Sequence, residues 1–288
     1  MLHHAGAGPR TPARAWRARA LVVAGVCTAA LATACGPRSQ AAAPPTGGGL
    51  SVSYEAPLRG GADERAFLRG RRLPEKVAED LNRSVRLPGR VQIVGRSCKQ
   101  NDTPEYDPQT GRITLCYGFI GEVRSMFEAD RGSGAVGDTE ERTAGVVTET
   151  LYHEAGHALL DKLDLPFTGH EEDVADQFAA YRLLGQGDAG RAALLAAADN
   201  YDQYAHAAAL HGLADADPSD EHAPDAARSA SYRCYLYGSA PATGRSKEYR
   251  ALVDGKRLSK ERAGLCEEEY EDLRRGWGRL LAPHAAGR

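Results

Sequence analysis

The sequence predicts an α+β fold that is predominantly helical, with a small β-sheet confined to its first third. Three observations predict it. Short apolar runs at Leu50–Tyr54, Arg90–Val94 and Arg112–Phe119 have strand length and turn-rich flanks. From Glu122 onward the apolar residues recur at helical spacing instead. Within that region Val146, Val147, Leu151, Ala155, Ala158, Leu159 and Leu160 make one segment apolar on more than one side, which describes a helix buried inside a domain.

Taken in chain order, the 288 residues begin with an export signal. Arg10, Arg14, Arg17 and Arg19 precede the short apolar run Leu21–Leu31, and Ala32-Thr33-Ala34-Cys35 follows as a small-residue stretch. Such a segment is secretory and too short for a typical membrane span. Cys35 followed by Gly36 resembles a bacterial lipobox. That resemblance implies removal of residues 1–34 as a signal peptide, lipidation of Cys35, and a cell-membrane anchor on the extracellular face. Ordinary secretion is the alternative if Cys35 is not lipidated. The apolar run lacks the preceding arginine pair of twin-arginine export. Residues 35–49, rich in Pro, Gly and Ala, read as a flexible tether, and residues 50–284 as the domain it carries.

Charge narrows the partners. The chain is formally −3, and without the four signal arginines it is −7. A mildly acidic exported domain is not predicted to bind nucleic acid. Contact with the membrane is expected through the lipid anchor only, and the protein is expected to be a monomer.

Between the strands a helix is predicted from Pro74 to Leu87. The two later strand-like runs flank the turn-rich stretch Asn101-Asp102-Thr103-Pro104 to Thr110-Gly111, with Cys98 and Cys116 at their ends. Cys98, Cys116, Cys234 and Cys266 remain once Cys27 and Cys35 are assigned to the signal and the anchor. An even number in an exported chain points to disulfides with three possible connectivities. Local pairing, Cys98 with Cys116 and Cys234 with Cys266, is the simplest.

The buried helix carries the chemistry. His153-Glu154-Ala155-Gly156-His157 reads H-E-x-x-H, which places two imidazoles on one helical face with a carboxylate between them in sequence. Neutral imidazole is a zinc ligand, and Glu154 is placed to act as base toward a water that the cation acidifies. Asp138 and Glu141 have capping-box spacing at the start of this helix, and Leu163-Asp164-Leu165-Pro166 should end it. A catalytic zinc needs a third ligand. The continuation with a third histidine is excluded, because Leu163 stands where that histidine would be.

The next helix offers a glutamate. Thr168 and Glu171 have capping-box spacing, which leaves Glu172 to face the metal, ahead of Glu171 or Asp173. Glu172 and Asp176 lie four apart on one face, suiting a ligand and a carboxylate that orients a zinc-bound histidine. Near the C-terminus, Tyr270, Leu273, Trp277 and Leu280 form the apolar stripe of a core helix.

These segments resemble two groups of increasing narrowness. Glu172-x-x-Ala175-Asp176 after His153-Glu154-x-x-His157 looks like the gluzincin arrangement of zinc metallopeptidases. More narrowly, Cys98–Tyr117, His153–Ala180, Asp220-Glu221-His222 to Arg228 and Cys234-Tyr235-Leu236-Tyr237-Gly238 resemble a bacterial metallopeptidase family whose domain is of unknown function. The resemblance covers most of residues 50–282. It implies a zincin-like fold, one zinc ion held by His153, His157 and Glu172, Glu154 as base and acid, and a peptide or protein substrate. In zincins a substrate commonly lies along the edge strand before the active-site helix, for which Arg112–Phe119 is the candidate. His222 is the first choice as oxyanion stabiliser, ahead of Tyr232 and Tyr235, with His206 and His211 behind them. A second class of function stays open: a non-catalytic zinc-containing surface lipoprotein that binds a peptide or a partner. Glu154 is the feature that favours the enzyme.

Overall fold

The computed structural model describes residues 47–58, 60–99, 102–130, 138–210, 221–240, 247–254 and 258–287. The signal segment, Cys35 and most of the tether therefore lie outside the described residues, as does His211. No helix among the described residues is long and apolar enough to cross a membrane.

The fold is α+β and mostly helical. Its sheet has four strands in the order β1-β2-β4-β3, formed by β1 (Gly49–Tyr54), β2 (Arg90–Arg96), β3 (Glu105–Asp107) and β4 (Arg112–Cys116). β1, β2 and β4 are parallel, with Val52 opposite Ile93 and Ile93 opposite Ile113, while β3 runs antiparallel to β4. Between β1 and β2 the chain forms α1 (Ala62–Arg71) and α2 (Leu73–Ser84), the second opened by Pro74 in its first turn. A tight turn joins β3 to β4. The Asp107 carboxylate accepts from the Gln109 amide at 2.8 Å, and Gly111 takes a φ of +64° that disfavours a side chain.

Two expectations about this region need correction. The Arg112–Phe119 run is neither a continuous strand nor the sheet edge. It splits at Cys116, and α3 (Tyr117–Ala129) begins at the next residue, because Ile120, Val123 and Phe127 continue the apolar pattern at helical spacing and are buried. The edge on that side of the sheet belongs to β3, a three-residue strand too short and polar to stand out in sequence.

α4 (Thr139–Leu163) passes through the centre, packed on α3, α5 (Glu171–Leu184), α6 (Gly187–Leu210) and α2. Leu151 and Leu159 of α4 share one core with Val77 and Leu81 of α2 and with Leu50, Val91, Ile93, Ile113 and Leu115 of the sheet. Its start is capped by Asp138, which accepts from the Glu141 amide at 2.8 Å. The reciprocal half of a capping box is absent, since the Glu141 carboxylate pairs with Arg71 at 2.7 Å. Its end is closed by Asp164 in the left-handed region and by a 3.1 Å bond from the Leu165 amide to the Leu160 carbonyl. The capping box expected for α5 does not form. His170 is the cap residue without a side-chain bond, and Glu171 is already helical.

α7 (Asp225–Ser239), α8 (Lys247–Asp254), α9 (Lys260–Ala263) and α10 (Cys266–Leu281) complete the helical part. Leu273, Trp277 and Leu281 of α10 are buried, with Tyr270 and Leu280 packed at the margin. Trp277 meets Phe178 of α5 at 4.7 Å between ring centroids. The disulfides are Cys98–Cys116 and Cys234–Cys266, as local pairing predicts. The second ties α7 to α10 where Gly238 lets the backbone of Cys266 approach; a Cβ there would lie 1.9 Å from its carbonyl oxygen. Because this bridge spans 32 residues, its removal in a Cys234→Ser/Cys266→Ser protein is expected to cost about 3–4 kcal/mol through unfolded-chain entropy. Denaturant unfolding of both forms checks this; a loss below about 1 kcal/mol would mean that helix packing alone fixes α7 on α10.

Candidate metal centre

His153, Glu154 and His157 lie in the middle of α4, and His153 and Glu154 are each only 6% exposed. One helical turn apart, the two imidazoles converge until their Nε2 atoms are 3.2 Å from each other. α5 crosses at Gly156, where a Cβ would stand 3.1 Å from Ala175 Cα and 3.3 Å from Phe178. The missing side chain thus lets α5 approach closely enough to present Glu172 to both rings. Its Oε2 lies 3.1 Å from His153 Nε2, and its Oε1 3.4 Å from His157 Nε2.

The fit to a metal can be judged from these separations. With bonds of about 2.0–2.1 Å, a tetrahedral zinc holds neighbouring ligand atoms about 3.3 Å apart. The two nitrogens and the carboxylate oxygens of Glu172 stand at 3.1–3.4 Å, and these three residues form one donor group within 4.8 Å. Two imidazoles and one carboxylate suit zinc and leave room for a fourth ligand. Asp173 is not in this group. Glu171 reaches the other nitrogen of His157, Nδ1, at 2.8 Å.

Behind the three donors, Asp176 Oδ1 is 2.8 Å from His153 Nδ1. Asp176 is gripped in turn by Arg228, from Nη2 at 2.6 Å and from Nε at 2.8 Å, and by the Tyr232 hydroxyl at 3.0 Å. Tyr232 also touches Glu149, which lies one turn before His153 on α4. Burial, with Asp176 nearby, pushes the Glu149 carboxyl up to about 7. Burial opposes charge on His153, yet its bonds to Asp176 and Glu172 outweigh that and hold its imidazolium up to about 10. Burial would likewise raise Glu172, but hydrogen bonds from His153, His157 and His222 hold its carboxyl well below the usual range. In the absence of a cation, a histidine proton supplies the positive charge that these carboxylates require.

Glu154 stands apart from that network. Its carboxylate makes no hydrogen bond to another described residue, and burial raises its pKa against the lowering effect of the two histidines. Two open hollows meet at this residue. One, of about 310 Å³, is walled by Phe119, Val146, Tyr201 and Tyr204; the other, of about 810 Å³, by Tyr106, Pro108, Leu160, Leu165 and Phe167. Thr103, Pro104, His153, Glu154 and His222 border both. β3 forms part of the larger hollow and is pinned to α4 by a 2.6 Å bond from the Tyr106 hydroxyl to Asp161.

The oxyanion candidates separate by position. His222 stands at the shared rim with its side chain 41% exposed, and its Nε2 lies 3.0 Å from Glu172 Oε2. Tyr232 is fully buried behind Asp176 and borders neither hollow, which removes it as an oxyanion donor. Tyr235 borders neither hollow, and His206 is exposed on α6 away from both. Arg228 and Glu149 escape the sequence reading, although two spacings of four point to them: Glu149 to His153 on α4, and Arg228 to Tyr232 on α7.

No curated protein and no solved structure matches the chain. The profile of one protein family does, across most of the helical part and much of the sheet. The match spans residues 58–281, and the chain accordingly belongs to the DUF4344 family, described as "Putative metallopeptidase".

Proposed function

We propose that the protein is a zinc-dependent peptidase of gluzincin type with a zincin-like core, carried outside the cytoplasm on a lipid at Cys35. The observation that carries this reading is the conjunction of the three donors His153, His157 and Glu172 at tetrahedral spacing with a buried Glu154 beside them that makes no hydrogen bond to another described residue. When bound, zinc would polarise the scissile carbonyl and acidify water.

The residues do the rest. Asp176 receives the Nδ1 proton of His153 and Glu171 that of His157, so each ring turns its Nε2 toward the centre. Glu154, without a hydrogen bond to another described residue, takes the proton of the attacking water and passes it to the leaving amine. Burial favours its protonated form and so assists the first half of that transfer, the uptake of the proton from water. His222, at the rim common to both hollows, would donate to the developing oxyanion in exchange for its 3.0 Å contact with Glu172 Oε2. Among the described residues β3 pairs only with β4, and its outer edge offers backbone groups to an extended peptide lying across the two hollows. The proposed enzyme acts as a monomer and binds no nucleic acid.

Purified protein incubated with a peptide library should cleave it, lose the activity to a chelator and regain it with added zinc. A chain that takes up zinc and leaves every peptide intact would favour a non-catalytic binding lipoprotein instead.

A further inference from the structure

We propose that Tyr232 and Glu149 are positioning residues for the metal ligand His153, acting through Asp176. The inference rests on the metal reading given above and adds two residues to it. Three helices converge on one carboxylate: α5 supplies Asp176, α7 supplies Arg228 and Tyr232, and α4 supplies both His153 and Glu149. The assembly is deeply buried, with Tyr232 at 0%, Glu149 at 2% and Asp176 at 7% exposure.

Hydrogen counting fixes the direction of the chain of bonds. The Tyr232 hydroxyl has one hydrogen and stands against two carboxyl groups, Glu149 Oε1 and Asp176 Oδ1. Asp176 Oδ1 already receives hydrogens from His153 Nδ1 and Arg228 Nη2, as befits an ionised acceptor. If Tyr232 donated to Glu149, its oxygen lone pairs would face Asp176 Oδ1 at 3.0 Å, an acceptor set against an acceptor at hydrogen-bond distance. The arrangement closes when Glu149 carries a hydrogen, donates it to the phenol oxygen, and the phenol donates to Asp176. Glu149 then holds Tyr232, Tyr232 and Arg228 hold Asp176, and Asp176 holds the His153 ring with Nε2 toward the metal.

Stability alone does not call for this construction. Apolar side chains of the same volume would fill the junction of α4, α5 and α7 without the desolvation cost of buried charges, which amounts to several kcal/mol per ion. A ligand ring held in one orientation is the return, and loss of such outer partners weakens metal binding about 10–100-fold.

The test is zinc affinity, measured on the full chain by competition with a chromogenic chelator. Melting of the chelator-treated protein reports stability separately. Tyr232→Phe and Glu149→Leu are expected to weaken zinc binding about 10–100-fold. Glu149→Gln, whose amide still donates to the phenol oxygen, is expected to stay within about threefold of wild type. Equal affinity in all four proteins would overturn the proposal. So would a Gln variant as weak as Leu, because the donated hydrogen would then not be what matters. A wild-type chain that takes up no zinc would instead defeat the metal reading itself, which separates the two failures.

Discussion

Glu154→Gln is expected to lower peptide hydrolysis by about 10²–10⁴-fold, the usual span for loss of a general base, while the zinc content per chain stays unchanged. Gln keeps the size of the side chain and removes its ability to accept a proton. The surroundings make this substitution clean. Glu154 carries no hydrogen bond to another described residue and is not one of the three grouped donors, and burial already disfavours its charge, so the substitution leaves the hydrogen bonds of His153, His157 and Glu172 in place. A structural zinc site would give no reason for an acid at this place, poised at the junction of both hollows. The measurement is kcat/KM on a cleaved peptide beside elemental analysis of zinc. A Gln variant that retains most of its activity would move the base elsewhere, and one that loses its zinc would make Glu154 part of the metal shell.

How much of this is legible in the sequence depends on the distance over which each feature is encoded. The pairing of His153 with His157, and the relation of Glu172 to Asp176, are properties of a single helical turn and can be read from spacing. The apolar stripe through Leu273 and Trp277 is visible for the same reason. The strand-to-helix change at Cys116 is not, because Ile113 to Ile120 is apolar in either conformation and only burial in the folded chain decides. β3 hides because three residues, Glu105, Tyr106 and Asp107, carry too little alternation to mark a strand. Thr168 fails as a cap because Glu171 is drawn instead to the outer nitrogen of His157, a contact between two helices that local capping rules do not register. The grip on Asp176 is harder still: Arg228 lies 52 residues and Tyr232 56 residues away in sequence, and nothing local states that α7 returns to α5.

Glu172→Ala is expected to abolish tight zinc binding. Structural zinc sites bind with about 10–16 kcal/mol spread over four ligands, so roughly 2.5–4 kcal/mol per ligand corresponds to a loss of about seventy- to a thousandfold. Glu172 is also the residue through which pH acts on the centre. In the metal-free chain its bond to His153, together with that of Asp176, holds the imidazolium up to about 10 against the effect of burial. Zinc must displace that proton, so affinity rises with pH until His153 has titrated and falls as the solution is acidified. The same pairing stabilises the metal-free fold below the unfolded histidine value of about 6.5, and that contribution is lost as pH rises through about 10. From the carboxylate side the sign is opposite: the depressed Glu172 pKa gives stability above the unfolded value of about 4.3, lost as pH falls below it. Glu172→Ala removes one of the two carboxylates that hold the His153 proton. The residual, weak zinc binding should therefore keep rising only to a lower pH than in wild type, which calorimetric titration across pH 6–10 would read. Retention of wild-type affinity would transfer the ligand role to Glu171, whose carboxylate lies 2.8 Å from His157 Nδ1 and would have to swing to the Nε2 side to serve.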